Sequence, residues 1–270
     1  MKDKTFKEII KNDAELDAYL RDCGIKHRYY RSYGKFPRLK DNLYTKHSLF
    51  LSDGTGWNDK KDVDRFRNQC GQNKLFGHCF SYSMDESVAM WMLYGGLEDK
   101  GGMFYLTQGQ IKKILESHCS IRIGKFNKKN EFKEKKTIQY PYKMYVKDVL
   151  YFNAVNDKLW RVYRDNDAGT TDKSIAVKGA KHTFKHAGWS YEKETRLIVE
   201  IPWSEDIMDC THIRIDLDEA LGKNWLKGFN NRVVYSPKCQ PTHKTTALYN
   251  GKQVVFKESE LYNSIDWTLK

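Results

Sequence analysis

Residues 189–201 read WSYEKETRLIVEI, a segment in which two glutamates, Glu192 and Glu194, lead directly into an aliphatic run. Such a run is typical of a buried strand. Side chains alternate between the two faces of a strand, so the pattern predicts that both carboxylates point the same way, roughly 7 Å apart. Paired carboxylates on one rigid edge can stabilise positive charge at a sugar carbon and orient or deprotonate a nucleophile. A solvated strand face has the same composition, so other segments must decide between the two interpretations.

The composition indicates a basic chain that is long enough for a full hydrophobic core. Its 270 residues include 47 Lys and Arg against 35 Asp and Glu, a formal net charge of +12. This excess favours a polyanionic partner such as RNA or DNA, or an anionic cofactor, because clustered basic groups concentrate anions. Aromatic residues make up 14% of the chain and offer stacking surfaces for bases or nicotinamide. A merely soluble basic protein is the alternative.

The cysteines, the first residues and the hydropathy pattern together predict a cytoplasmic protein. The six cysteines form no CxxC pair and no zinc-ligand spacing with histidine, so no metal site is expected. Residues 1–8 contain no apolar signal core, and no apolar run approaches the length of a membrane span. We therefore expect no membrane partner.

The order of the predicted elements indicates a single α+β domain over residues 1–270. Helical periodicity predicts one or two short helices in an N-terminal segment, residues 1–24. A C-terminal β extension is expected over about 205–270. The predicted strands lie at 27–33, 49–52, 76–83, 103–106, 145–152, 195–201, 211–215, 231–235 and 252–256.

Two helix starts carry the pattern of a capping box. The pairs are Ser83 with Glu86 and Thr107 with Gln110. The first helix is expected to bury Val88, Trp91 and Met92, and the second carries Ile111, Ile114 and Leu115.

Two polar segments are predicted as loops. Residues 125–136 form a lysine-rich stretch, and residues 164–174 are polar and expected to be mobile.

Three short motifs resemble the ADP-ribosyltransferase superfamily when they are read in order. They are Tyr30-Arg31 on a first strand, Phe80-Ser81-Tyr82-Ser83 on a strand that enters a helix, and Glu192-Lys193-Glu194 before an aliphatic strand. The resemblance is to the branch with an Arg, Ser, Glu signature, which includes cholera-toxin-like and C3-like enzymes. Tyr82 departs from the family pattern, in which a threonine stands. The resemblance spans about residues 25–205 and implies two small, mostly antiparallel sheets that form an NAD cleft with flanking helices.

A wider set of residues is similar to a bacterial domain family that is related to these transferases and found among defence genes. The set comprises Trp57-Asn58-Asp59, Cys79-Phe80-Ser81, Trp91 and the W-x-Y-E-x-E-x-R pattern at 189–196. The chain also resembles the toxins of toxin-antitoxin-chaperone phage-defence systems, which ADP-ribosylate messenger RNA. That resemblance implies a toxin in antiviral defence with an antitoxin protein as partner.

The chemistry of NAD cleavage assigns roles to the two glutamates. Loss of nicotinamide leaves a positive charge at the ribose C1, so the site needs a carboxylate near that carbon. Glu194 is the candidate to bind the ribose 2′-hydroxyl and stabilise the cation. Glu192 would position or activate the acceptor nucleophile.

Other residues are candidates for binding NAD. A guanidinium on a fixed strand can donate twice to phosphate or ribose oxygens, which favours Arg31, with Arg28 as the alternative. Ser81 would hydrogen-bond the catalytic glutamate or the ribose, whereas Ser83 would do so only if its hydroxyl does not cap a helix. The rings that could stack on nicotinamide or adenine are Tyr30, Tyr82 and Trp57.

The segment KHTFKHAGWSY at residues 181–191 precedes the glutamates and in the family contacts the acceptor. Its composition favours a base stacked on Trp189 or Tyr191, with Lys181 and Lys185 on phosphates. The predicted reaction is therefore transfer of ADP-ribose to a nucleic acid, with RNA favoured and DNA possible. A protein acceptor, an NAD glycohydrolase and a nucleic-acid-binding protein without catalysis are the alternatives.

Overall fold

The computed structural model describes most of the chain, and it is α+β with a mostly antiparallel sheet. The described residues are 13–21, 24–67, 73–95, 101–152, 181–228, 232–237, 247–249, 252–254 and 256–261. The predicted mobile segment at 164–174 lies outside them, as does much of the N-terminal segment. Within the described ranges no helix has the length and apolar character that a membrane crossing requires.

The strands coincide with most of the predicted ones. They are β1 (Tyr29–Lys35), β2 (Ser48–Ser52), β3 (Asn73–Ser81), β4 (Gly101–Thr107), β5 (Ile121–Phe126), β6 (Phe132–Ile138), β7 (Lys143–Asp148), β8 (Leu150–Phe152), β9 (Phe184–His186), β10 (Glu194–Pro202), β11 (His212–Asp216), β12 (Val233–Tyr235), β13 (Ala247–Tyr249) and β14 (Lys252–Val254).

The helices are short. They are α1 (Asp13–Arg21), α2 (Phe36–Lys40), α3 (Lys60–Arg67), α4 (Val88–Met90), α5 (Gln108–Glu116) and α6 (Leu217–Leu221). Single π-helical turns, Asp41–Thr45 and Trp91–Gly95, continue α2 and α4. Turns of 3₁₀ helix occupy Lys181–Thr183, Ala187–Glu192, Glu205–Ile207 and Trp225–Gly228.

Ten of the strands belong to one hydrogen-bonded sheet, which corrects the expectation of two small sheets. The order is β12-β4-β1-β3-β2-β11-β5-β6, while β10 pairs with β3 and β7 pairs with β10. β10 runs antiparallel to β3 along its whole length, from the Glu194–Ser81 pair to the Pro202–Asn73 pair. β1 and β2 each meet β3 at a single residue pair. The nine residues of β3 pair with β1, β2 and β10, and this strand therefore joins the sheet into one.

β10 is buried on both faces, as its continuous aliphatic run predicts. Leu197, Val199 and Ile201 point into the main core, where strand residues pack with residues of α2, α5 and α6. Ile198 points the other way and packs with Phe66 of α3. The face of Ile198 also carries buried charged side chains, so a shift of the strand by one residue would exchange aliphatic and charged positions, and its position in the sheet is strongly specified.

The capping box that opens α5 is present as predicted. The side chain of Thr107 accepts from the backbone N–H of Gln110, and the Gln110 side chain accepts from the Thr107 N–H at 3.1 Å. Ile111 and Ile114 of this helix are buried.

The Ser83–Glu86 capping box is wrong, because α4 starts later. Ser87 caps the helix by accepting from the Met90 N–H at 3.3 Å. Glu86 instead accepts from the indole Nε1 of Trp91 at 2.9 Å. With this start Trp91 is buried as predicted, whereas Val88 and Met92, expected in the core, are 37% and 47% exposed.

The lysine-rich stretch at 125–136 is a hairpin of β5 and β6 and not a loop. Three of its ammonium groups pair with carboxylates of a neighbouring turn. Lys125 and Lys135 each lie 2.7 Å from Asp209, and Lys136 lies 2.7 Å from Asp206. The pairs are exposed and add little stability, but they offset part of the positive charge expected to contact nucleic acid.

Candidate active site

Three predicted site residues stand side by side across three strands. Ser81 of β3 pairs in register with Arg31 of β1 and with Glu194 of β10. Residues directly opposite each other in antiparallel strands point to the same face. The sheet therefore brings together an arginine, a serine and a glutamate that are far apart in sequence.

A cavity of about 590 Å³ lies beside this row. Its volume is within the range of small-molecule sites. Arg31 and Glu194 line it, whereas Ser81 is buried below the surface. The cavity wall near Glu194 also includes Trp57, Asp62, Tyr94, Lys185 and Glu192.

The two glutamates do not share a strand face, so the prediction from the ExE pattern is wrong in its geometry. Glu192 ends the 3₁₀ turn Ala187–Glu192, and Lys193 adopts a left-handed conformation with φ of 45° before β10 begins. The carboxylates nevertheless converge on one ammonium group. Lys185 Nζ lies 2.6 Å from Glu192 Oε2 and 2.8 Å from Glu194 Oε2.

A buried ionic cluster surrounds this ammonium group and consists of Asp62, Lys185, Glu192, Glu194 and Arg196. Arg196 donates from Nε to Glu194 Oε1 at 2.7 Å and from Nη2 to Asp62 Oδ2 at 2.6 Å. All five residues are buried. When every member is ionised, three carboxylates face two cations, so the ionic cluster keeps a formal charge of about −1.

The surroundings push the pKa values of the two glutamates in opposite directions. Burial disfavours ionisation of Glu194, but the charges of Arg196 and Lys185 outweigh it and hold the pKa well below its usual range. Burial and the charge of Glu194 raise the pKa of Glu192 to about 7, although Lys185 opposes the shift. Glu194 is thus a permanent anion near neutral pH, and Glu192 can exchange a proton.

Arg31 is held by backbone carbonyls. Its Nη1 donates to Ser83 O, its Nη2 donates to Met84 O at 2.6 Å, and its Nε is buried with no hydrogen-bond partner among the described residues. Ser83 therefore contributes a carbonyl to Arg31; Ser87 and not Ser83 caps α4, so the predicted contact of the Ser83 hydroxyl with NAD stays a prediction. Ser81 accepts a long hydrogen bond from the Ser83 N–H at 3.5 Å, and the partners of Glu194 are charged groups instead of Ser81.

Two tyrosines predicted to stack on NAD are engaged elsewhere. Tyr30 is fully buried in the main core, where its ring meets Phe80 edge to face, so it has no surface for a ligand. One face of Tyr82 stacks on His27 with ring centroids 4.1 Å apart. Trp57, the third ring considered, lines the cavity.

The segment expected to bind the acceptor is only partly accessible. Lys185 is buried in the ionic cluster, so its predicted contact with phosphates is wrong: its charge is neutralised inside the protein. Trp189 and Tyr191 lie at the surface with ring centroids 6.1 Å apart. Lys185 Nζ lies 5.3 Å from the Trp189 ring centroid. The side chain of Lys181 lies outside what the structure describes.

Asp62 and Tyr94 were not predicted. Tyr94 donates a hydrogen bond to Glu192 Oε1 and lies in the π-helical turn that follows α4. Both residues follow noted motifs at helical spacing, Asp62 after Trp57-Asn58-Asp59 and Tyr94 after Trp91. This spacing is the signal that could have found them.

The far end of the cavity is basic. Lys35 and Arg38 line it and take part in no ion pair within the described ranges. His78 and His212 line the same end. Burial lowers the pKa of each histidine to about 4, helped by the charge of Arg38, so both are neutral at pH 7. The cavity thus has carboxylates at one end and unpaired cations at the other.

The chain matches no protein-family model, and comparisons with curated proteins and with solved structures give no match either. Among the described residues no group of three or more His, Cys, Asp or Glu side chains has the arrangement of a metal site. The geometry of the cavity is therefore the basis for assigning a function.

Proposed function

We propose that the chain has an ADP-ribosyltransferase fold and transfers ADP-ribose from NAD to a nucleic acid, with RNA favoured over DNA. The observation that carries the proposal is the row of Arg31, Ser81 and Glu194 in register beside a ligand-sized cavity. An enzyme that modifies cellular messenger RNA harms its own host. The proposal therefore includes an antitoxin protein as partner and a role as a cytoplasmic toxin in antiviral defence.

Glu194 supports cleavage of the bond between nicotinamide and ribose. Its carboxylate stays ionised in a buried site, where a fixed charge acts more strongly than in water. When that bond breaks, its electron pair leaves with nicotinamide and positive charge develops at the ribose C1. Arg196 and Lys185 hold the Glu194 carboxylate in place, so little reorganisation is needed as the charge forms.

Glu192 supports the second half of the reaction. An acceptor nitrogen forms a bond to C1 and must lose a proton, which a carboxylate with a pKa of about 7 can take. The Tyr94 hydroxyl donates to the same carboxylate and stabilises its ionised form.

The transfer rate is therefore expected to rise with pH and to level off above a midpoint of about 7, because only ionised Glu192 accepts a proton. Tyr94→Phe removes a hydrogen bond that lowers the pKa of Glu192, so it should move the midpoint to higher pH. Rates of nicotinamide release without acceptor should vary little over the same range, because Glu194 is already ionised. A pH profile of label transfer, run beside one of nicotinamide release, checks both; a transfer profile without this midpoint would contradict the assignment.

The polarity of the cavity suits NAD as substrate. The carboxylates lie where a cationic nicotinamide ribose would be placed, and Lys35 and Arg38 lie where an anionic pyrophosphate or ribose phosphate could be bound. Lys35 lies four positions after Arg31 on β1, which corresponds to roughly 13 Å along a strand. A dinucleotide is long enough to reach both ends.

Replacing Lys35 and Arg38 together by glutamine should raise the KM for NAD about tenfold and leave kcat nearly unchanged. The two side chains would contribute charge-assisted hydrogen bonds to phosphates that are the same in ground and transition states. Steady-state kinetics of nicotinamide release measures the two constants. Lys125→Gln is the control, because Lys125 lies on β5 outside the cavity and pairs with Asp209. An unchanged KM in the double variant would remove this end of the cavity from substrate binding.

Trp189 and Tyr191 are the features that favour a nucleic-acid acceptor. Their partly exposed rings lie next to Glu192, and base stacking on such rings contributes about 1–3 kcal/mol per base. The burial of Lys185 and the pairing of the hairpin lysines favour a second candidate, an enzyme that uses water or a protein as acceptor. Both candidates need Glu194.

Labelled NAD mixed with RNA, DNA and protein separates the candidates. The nucleic-acid proposal predicts that label enters RNA, or less readily DNA, and that Trp189→Ala reduces transfer more than nicotinamide release. Label in protein alone, or nicotinamide release without any labelled product, would establish the second candidate. If no label is transferred and no nicotinamide is released, the result counts against both candidates.

A further inference from the structure

Asp62 carries an unpaired oxygen at the cavity. The residue belongs to α3, lines the cavity and is 1% exposed. Its Oδ2 accepts from Arg196 Nη2 at 2.6 Å and lies 3.5 Å from Lys185 Nζ. Its Oδ1 is buried and has no hydrogen-bond partner in the part of the chain that the structure describes. Buried polar atoms are nearly always paired, so this acceptor indicates a donor that arrives with a ligand.

The surroundings of Asp62 restrict the kind of donor. Arg196 and Lys185 both face Oδ2, so Oδ1 is the oxygen left to accept from a further donor, and Asp62 lines the cavity from which a ligand would supply it. Trp57 lines the same wall, and the Arg196 guanidinium lies 4.8 Å from its ring centroid, which fixes a flat aromatic surface beside the carboxylate. A flat ring with an N–H donor matches this combination of surfaces.

We propose that Asp62 selects the substrate by accepting a hydrogen bond from the carboxamide N–H of the nicotinamide ring. This inference rests on the proposed use of NAD. Glu194 would act at the ribose, while Asp62 would bind nicotinamide, the leaving group. An analogue with a carboxylate in place of the carboxamide would set two negative charges against each other, and an acetyl group would offer no donor.

Asp62→Asn tests the assignment because it exchanges an acceptor for a donor at constant shape. Arg196 Nη2 donates to Oδ2 and so keeps the amide oxygen of the new side chain on its own side. The amide nitrogen then faces the cavity, where it suits an acceptor on the ring. We expect the wild-type protein to prefer NAD to nicotinic acid adenine dinucleotide by about 100-fold in kcat/KM for release of the pyridine ring, and the variant to lower that ratio at least about tenfold.

Asp59→Asn is the matched control. Asp59 lines the same cavity and loses the same charge, but its Oδ1 accepts from the backbone N–H groups of Lys61 and Asp62, at 2.9 Å and 3.3 Å, at the start of α3, a role that asparagine can also perform. The ratio of kcat/KM for NAD to kcat/KM for nicotinic acid adenine dinucleotide should stay at the wild-type value. Circular dichroism spectra of both variants show whether the fold is retained.

A second measurement needs no variant. The wild-type protein should use 3-acetylpyridine adenine dinucleotide about 10- to 100-fold less efficiently than NAD, because the acetyl group cannot donate to Oδ1. Equal use of the two by the wild type, or an unchanged ratio in a folded Asp62→Asn, overturns this inference and leaves the proposed function intact. Failure of the wild-type protein to release nicotinamide from NAD overturns both.

Discussion

Glu194→Gln is expected to lower the rate of nicotinamide release from NAD on the order of 10³-fold, with the fold retained. Glutamine keeps the shape of the side chain and can still accept a hydrogen bond from Arg196, but it provides no negative charge at the ribose C1. The ionic cluster tolerates the change because its formal charge moves from about −1 to 0. Chromatographic detection of nicotinamide at saturating NAD measures the effect.

Two controls make this result specific. Glu200→Gln changes a glutamate of the same strand that accepts from Tyr145 and pairs with Lys143 at 3.2 Å, and it should leave the rate unchanged. Glu192→Gln should retain nicotinamide release but lose transfer to an acceptor. A folded Glu194→Gln with the activity of the wild type would remove Glu194 from the chemistry.

Arg196→Met is expected to lower the free energy of unfolding by about 3–5 kcal/mol. The arginine is fully buried and donates to Glu194, Asp62 and the carbonyl oxygen of His182. Its removal leaves the three buried carboxylates of the ionic cluster with only Lys185 as a counter-charge, and breaking a buried ion pair from one side costs this much. Urea denaturation followed by tryptophan fluorescence gives the difference.

Arg214→Met is the matched control for that change. Arg214 also lies on a strand, but it donates to Ser48 Oγ at 2.5 Å and to Lys46 O at 2.9 Å and pairs with no carboxylate there. Because Arg214 is only half-buried and water can replace these partners, its loss should cost about 1–2 kcal/mol, less than the loss of Arg196. Equal losses in the two variants would mean that the ionic cluster has no special part in stability.

Local patterns in the sequence predicted the elements that depend on neighbouring residues. The aliphatic run predicted β10, and Thr107 with Gln110 predicted the start of α5. The region before β10 was different, because alternating glutamates are typical of a strand while the left-handed residue Lys193 ends a 3₁₀ turn there. A left-handed conformation at a lysine depends on the surrounding packing and leaves no mark in the pattern.

The sequence predicted the grouping of three candidate site residues but not the electrostatics around them. The order of the motifs grouped Arg31, Ser81 and Glu194, which the register of three strands places together. Lys185 was taken for a phosphate contact because a basic, aromatic segment is typical of nucleic-acid binding. Its actual partners include Asp62, more than a hundred residues earlier, and pairings of that kind come from tertiary packing.

Mass spectrometry of a purified RNA oligonucleotide, incubated with the protein and NAD, shows whether ADP-ribose is transferred to RNA. We expect an added mass of one ADP-ribosyl group for each nicotinamide released, with neither product from Glu194→Gln. An unmodified oligonucleotide together with intact NAD would contradict it.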